Sequence, residues 1–164
     1  IAQLKLKQLR REIKHKKALL LQNITEHIHL AKRIQQHKNT EKAPQWLETY
    51  LSKYSYSSAK NWNRFLAEFE GIFPNFLQFI RESHPELTES DIQYIILTIL
   101  GLDNNDISFV LSKTTRTIWN RRDTIKTRLD LKEASIEEWL DSLMSSYERK
   151  YRELLEKEKE SIMN

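Results

Sequence analysis

Apolar residues recur at spacings of three, four or seven near the start of the chain: Leu6, Leu9, Ile13, Leu20, Ile24, Ile28, Ala31 and Ile34. Those spacings bring side chains to one face of a helix, so the pattern predicts a single long helix with a coiled-coil-like seam. Lys16 and Lys17 interrupt the seam where another apolar residue would fall. The polar run Lys38-Asn39-Thr40-Glu41-Lys42-Ala43-Pro44 stops the helix. Pro44 suits the first turn of a short helix carrying Trp46, Leu47, Tyr50 and Leu51.

Further on, the stretch Ser55-Tyr56-Ser57-Ser58 reads as a loop with a helix cap. It introduces a helix with Trp62, Phe65, Leu66 and Phe69 on one stripe, which Gly71 can close in a left-handed turn. Pro74 suits the first turn of a helix bearing Phe76, Leu77, Phe79 and Ile80. This aromatic cluster reads as packed core rather than ligand pocket. Thr88-Glu89-Ser90-Asp91 is close to a capping box and opens an apolar helix from Ile92 to Leu100, closed by Gly101. Asp103 caps a short helix with Ile107, Val110 and Leu111. The tight turn Ser112-Lys113-Thr114 leads into a helix from Thr115 to Leu129, with Ile118, Ile125 and Leu129 as its buried stripe. Ser135-Ile136-Glu137-Glu138 is a second capping box. It opens a last helix with Ile136, Trp139, Leu140, Leu143, Tyr147, Tyr151 and Leu154 on one face, expected to fray after Leu155.

Composition agrees with an all-α class. The 164 residues include only two glycines and three prolines, too few for a turn-rich sheet protein. No cysteine is present, which excludes disulfide frameworks, thiolate zinc sites and thiol nucleophiles. The longest uncharged run, Ile92 to Leu102, has eleven residues and is too short to span a bilayer. The expected division is a helical stem over 1–43, a helical domain over 44–131, and a C-terminal amphipathic helix over 132–164. Because the chain opens on Ile1, inside a helical pattern, it is expected to be a fragment of a longer protein.

Charge is unevenly distributed. Residues 1–39 carry ten Lys/Arg against two Glu, and residues 113–129 carry six against one Asp. Between them, residues 40–112 hold five basic and ten acidic side chains, and residues 130–164 hold six and ten. Two short helices joined by a tight turn, the second of them basic, form the outline of a helix-turn-helix. In that unit the second helix enters the major groove, where each base pair presents its own donor and acceptor pattern. Thr114 at its N-cap and Thr117 one turn on can offer hydroxyls to phosphates, and basic side chains along it displace counterions from a duplex.

Several segments in order resemble the LuxR-type helix-turn-helix family of bacterial regulators. Leu87-Thr88-Glu89-Ser90-Asp91 resembles its Leu-Thr-x-x-Glu opening, and Gly101 to Ser108 its Gly-Leu-Ser-Asn-Lys-Glu-Ile-Ala segment. Leu111 to Ile118 follows Leu-x-Ile-Ser-x-x-Thr-Val, and Ile125 to Leu129 the closing Ile-x-x-Lys-Leu. The register holds over 87–131 without a gap. Lys113 departs from the usual Ile or Val, Asn105-Asp106 from Lys-Glu, and Ser108 from Ala. The stretch Trp62 to Glu86 is similar to a variant in which the module ends a larger sensor-regulator, after a helical stem and often a membrane span. The basic block Lys5, Lys7, Arg10, Arg11, Lys14, Lys16 and Lys17 would suit a cytoplasmic flank of such a span, or simply solvate a coiled coil, with direct DNA contact a third and less favoured reading.

The resemblance implies a cytoplasmic DNA-binding transcription regulator, anchored in the inner membrane if the missing part contains a span. Arg116, Trp119 and Asn120 are the expected base contacts, since Arg pairs well with guanine and Asn with adenine. Trp119 has two readings, a thymine methyl or a neighbouring helix. Lys113, Thr114, Thr117, Arg121, Arg122, Lys126 and Arg128 are the expected phosphate contacts, which position without specifying. A homodimer is expected, with half-sites roughly 34–36 Å apart. Trp139, Leu143 and Tyr147 are its expected interface, the competing reading being that this helix folds back on its own domain.

Other chemistry finds little support. The histidines His15, His27, His29, His37 and His84 read as surface residues; His27 and His29, two apart on a helix, cannot share a metal. Glu137 and Glu138 are accounted for by the capping box. No phosphate-cradling glycine loop or catalytic triad order occurs, so no enzyme activity, metal or cofactor is expected. The rival reading is a signalling and protein-interaction module that docks on RNA polymerase or a partner regulator without sequence-specific DNA binding. A sigma-factor region of similar fold is a third reading, disfavoured by the long stem and added last helix.

Overall fold

The computed structural model describes residues 2–38, 55–163 and the positions 45, 49 and 53 between them. Seven helices are defined within these residues, with no strand among them. They are α1 (Ala2–Lys38), α2 (Ala59–Ile72), α3 (Phe76–Ser83), α4 (Glu89–Ile99), α5 (Asn104–Val110), α6 (Thr115–Arg128) and α7 (Ile136–Met163). The side chain of Leu6, and the expected short helix with Pro44, Trp46, Leu47, Tyr50 and Leu51, lie outside the described residues. No described helix is long and apolar enough to cross a membrane.

The most buried helix is α4, in which Ile92, Tyr94, Ile95, Ile96 and Leu97 are all removed from solvent. Its two faces are apolar because α5 and α6 pack against it and the rest of the domain closes over it. Tyr94 keeps its hydroxyl satisfied by donating to the side-chain oxygen of Asn104 at 2.6 Å. That bond removes the cost of burying an unpaired hydroxyl.

The stripe of α1 divides at about Leu20. Leu20, Ile24, His27, Ile28 and Ile34 are buried against the domain, chiefly α2 and α5. The N-terminal part projects, leaving Leu4 66% and Leu9 42% exposed. Leu20, Ile24 and Ile28 of the expected stem join the domain's own core, with Ile13 and Leu21 packed against it. His27, expected at the surface, is buried against Tyr56 with ring centroids 5.1 Å apart. Burial lowers its pKa, so the folded state favours the neutral ring.

Phe69, Phe73, Phe76 and Phe79 form the expected aromatic core, joined by Tyr147 of α7 at centroid distances of 5.4 Å to Phe76 and 5.6 Å to Phe79. The Tyr147 hydroxyl donates to the Pro74 carbonyl at 2.6 Å, and burial raises its pKa. Leu143 and Tyr147 therefore point into this chain, which corrects their placement in a dimer interface. Aromatic packing inside the domain consumes the face; Trp139 is half-buried beside His84. Beyond the last buried turn, α7 continues as helix to Met163 rather than fraying at Leu155.

Local chemistry sets the breaks between helices. Gly71 does not close α2, which runs on to Ile72; the left-handed residue is Asn75, at φ 63°. Pro74 precedes α3 instead of entering its first turn. The Glu70 carboxylate accepts from the N–H groups of Asn75 and Leu77 at 3.0 and 2.9 Å, and so caps α3 from the preceding helix. Helices α4, α5 and α6 all end in the same paired-bond motif, with Gly101, Ser112 and Asp130 left-handed at φ 91°, 53° and 53°.

Two outcomes follow from this packing. Ser112→Gly relieves a left-handed side chain and is expected to raise stability by about 0.5–1 kcal/mol, read as a higher urea midpoint. An unchanged midpoint would contradict the assignment of strain there. Leu143→Ala is expected to cost roughly 2–4 kcal/mol with no change in the molar mass found by sedimentation. A change of mass with little loss of stability would return Leu143 to a chain–chain contact.

Candidate nucleic-acid interface

Helices α5 and α6 and the turn between them make the expected helix-turn-helix outline. Asp103 caps α5 by accepting from the Asp106 N–H at 2.8 Å. Ser112 reverses the chain, and the Lys113 N–H bonds back to the Ser108 carbonyl at 2.9 Å. Thr114 then caps α6, accepting from the Thr117 N–H at 3.2 Å, with the two hydroxyls 2.8 Å apart. Ser108, where a small apolar residue was the expectation, buries its hydroxyl by donating to the Asn105 carbonyl at 2.5 Å. The turn is therefore formed with Lys113 exposed at its outer edge.

On α6, Ile118 and Ile125 face the core. The opposite face carries Arg116, Trp119, Asn120 and Asp123, spaced so that they form one exposed stripe. Trp119 is 54% exposed, which removes the reading in which it packs into a neighbouring helix. Its ring lies 5.9 Å from the Arg122 guanidinium, a cation–π contact at the edge of the stripe. The three expected base-contact residues are thus brought together and point outward. Thr114 and Thr117 sit exposed at the N-terminal end of the same helix. Among the described residues Arg116, Lys113 and Lys126 enter no ion pair.

The three arginines among the remaining expected phosphate contacts pair with carboxylates of the same chain. Arg121 donates to the Asp91 carboxylate at 3.2 Å, and Arg128 donates to its other oxygen. Arg122 grips Glu137 through two bonds of 2.9 Å each. Arg121, Arg122 and Arg128 are thus paired with carboxylates of the same chain, and each would have to leave its partner to reach a phosphate. The Glu137 bond raises the Arg122 pKa, and the Arg122 bond lowers that of Glu137.

Asp91 is the residue the sequence reading undervalued. It completes the capping box of α4, accepting from the Thr88 N–H at 3.0 Å while its own N–H reaches the Thr88 hydroxyl at 3.2 Å. It has no exposed surface, yet is ionised between two arginines from α6. Burial opposes that charge, but the Thr88 N–H, Arg128, the Thr88 hydroxyl and Arg121 outweigh it and lower the pKa. The available signal was Asp in place of Glu in the box: a shorter side chain stays close to the helix, where an arginine from α6 can reach it. Glu137 was read only as a capping residue, but the cap bond runs from the Glu138 N–H to Ser135 at 3.1 Å, leaving Glu137 to hold Arg122.

No cluster of three potential metal ligands occurs among the described residues. Comparison with known protein families, curated proteins and solved structures finds no match.

The Asp91 linkage has a defined pH signature. A folded-state pKa below the ordinary value of about 3.9 means the carboxylate contributes its full stability above pH ~4, and loses it as pH falls through the folded value. Asp91→Asn is expected to destabilise by about 3 kcal/mol at pH 7, with the deficit shrinking as pH falls below the ordinary carboxylate value and through the lowered folded one. Urea unfolding at a series of pH values measures this; a deficit independent of pH would show that the charge is not the source.

Proposed function

We propose that this chain is a DNA-binding module of a transcription regulator, of LuxR-like helix-turn-helix type, which seats α6 in the major groove. The carrying observation is the outward stripe of α6. Arg116, Trp119 and Asn120 stand together on it, exposed and without ion pairs, while Arg121, Arg122 and Arg128 on the same helix are internally paired. Arg and Asn offer the two bidentate donor sets that discriminate guanine and adenine. Trp119 supplies an apolar face for a thymine methyl. A solvated helix face has no comparable use for a half-exposed tryptophan. Asp123 adds an acceptor for a cytosine amino group and repels phosphate, which favours a seating with bases beneath the stripe.

Phosphate contact falls to the ends of the helix-turn-helix: Lys113, Thr114 and Thr117 at the start of α6, and Lys126 further along. These bonds orient α6 without reading sequence. As a LuxR-like regulator, the chain would act in the bacterial cytoplasm. Pairing of two copies falls to the projecting parts of α1 and α7, which expose Leu4 and Leu9, and Leu154 and Ile162. No catalytic step and no cofactor enters this reading.

Selection from a random duplex pool at about 0.15 M salt, where weak electrostatic binding is screened, is expected to recover a defined motif. Arg116→Ala is expected to lose about 1–3 kcal/mol of discrimination at one base pair with the fold unchanged. Equal affinity of wild type for all duplexes would overturn sequence-specific reading. No duplex binding, together with capture of RNA polymerase by the folded chain, would favour a protein-docking role.

A further inference from the structure

We infer that Asp91 and Glu137 act as internal competitors of DNA phosphate, withholding Arg121, Arg128 and Arg122 from the duplex backbone and so suppressing binding to unselected sequence. This inference rests on the DNA-binding reading and concerns the flanks of α6 rather than its stripe. Residues 121 and 128 are seven apart and leave the helix on nearly the same side, toward α4; Arg122 leaves on the other side, toward α7. A helix with its side chains is about 10–12 Å wide, close to the roughly 12 Å width of the major groove. A seated α6 would therefore have a phosphate strand along each flank, where these arginines emerge.

The two flanks are held differently: at Asp91 the carboxylate is the buried partner, whereas at Glu137 the arginine is. The Asp91 side chain is 0% exposed and fixed by the capping box, whereas the side chains of Arg121 and Arg128 are each 34% exposed. On the other flank Arg122 is 19% exposed and Glu137 59%. The guanidinium groups can reach solvent, but each must leave a charge-assisted bond to do so. Binding to unselected DNA is almost wholly electrostatic, and each cation that neutralises a phosphate strengthens it. Contacts from Arg116 and Asn120 to base edges do not draw on these arginines. Internal pairing thus lowers the non-specific component and leaves the specific one, which widens the ratio between them.

The test is the salt dependence of binding to a random-sequence duplex between 0.05 and 0.2 M salt, compared with a selected sequence. Glu137→Gln lies at the surface and leaves the core untouched. It is expected to steepen the slope of log affinity against log salt by about 0.9, one phosphate contact. It should also bind random DNA several-fold tighter at 0.05 M, with a smaller selected-to-random ratio. Asp91→Asn is expected to steepen the slope by up to about 1.8, two contacts. Should Asp91→Asn fail to fold by circular dichroism, Glu137→Gln decides alone. Glu138→Gln, one residue along and without an arginine partner, makes the same change in net charge and is expected to shift the slope far less. An unchanged slope in Glu137→Gln, or equal steepening in Glu138→Gln, would overturn the inference while leaving DNA binding in place. Failure of the wild-type chain to bind any duplex at 0.05 M salt would instead overturn the DNA reading and this inference with it.

Discussion

Asp91 places a charge on a side chain with no exposed surface, and its partners determine how α4 and α6 sit together. Through Thr88 it fixes the start of α4, the most buried helix; through Arg121 and Arg128 it fixes one side of α6 along two turns. An unpaired carboxylate at that depth would be severely destabilising, so the folded state requires α6 to present both arginines inward. With that side committed to α4, and Ile118 and Ile125 committed to the core, the remaining face of α6 has no choice of direction. Arg116, Trp119 and Asn120 point outward as a consequence of what the other face must do.

The same logic separates the cations of this strongly basic segment into two classes. Six Lys/Arg between residues 113 and 129 suggest an undivided positive surface when counted along the chain. In space, three of them neutralise Asp91 and Glu137, and the charge presented outward comes from Lys113, Arg116 and Lys126. The positive field is thus weaker than composition implies, and directional side chains weigh more in it. Under the proposed DNA-binding reading, such a surface would depend on the geometry of base edges more than on bulk attraction to phosphate.

Much of this was legible in the sequence because it depends on local rules. The capping residues Ser58, Thr88, Asp103 and Thr114, the left-handed Gly101, and the apolar stripes of α4 and α6 all act within one turn of where they are written. What was missed depends on partners far along the chain. The stripe of α7 has the spacing of a dimer seam, and nothing local says that Tyr147 finds Pro74 and the phenylalanines of its own domain. A perfect amphipathic pattern states that a face is covered, not by what. Arginines 30 and 37 positions from Asp91 are similarly invisible to periodicity. Capping of α3 by Glu70 acts over only five to seven residues and was missed for another reason, since its side chain reaches past a left-handed Asn75 that no glycine announces.

The claim on which the rest stands is the proposal that the outward stripe of α6, and not the outer side of α3 and α7, meets the duplex. The most direct measurement is a nuclear magnetic resonance titration of the chain with its selected duplex at about 0.15 M salt. The Trp119 indole N–H would be assigned by its loss in Trp119→Phe. The account predicts that this resonance and the amides of Thr114 to Asn120 shift together and saturate, while Trp139 and Tyr147 stay in place. Shifts centred on α3 and α7 with the Trp119 signal unmoved would contradict it.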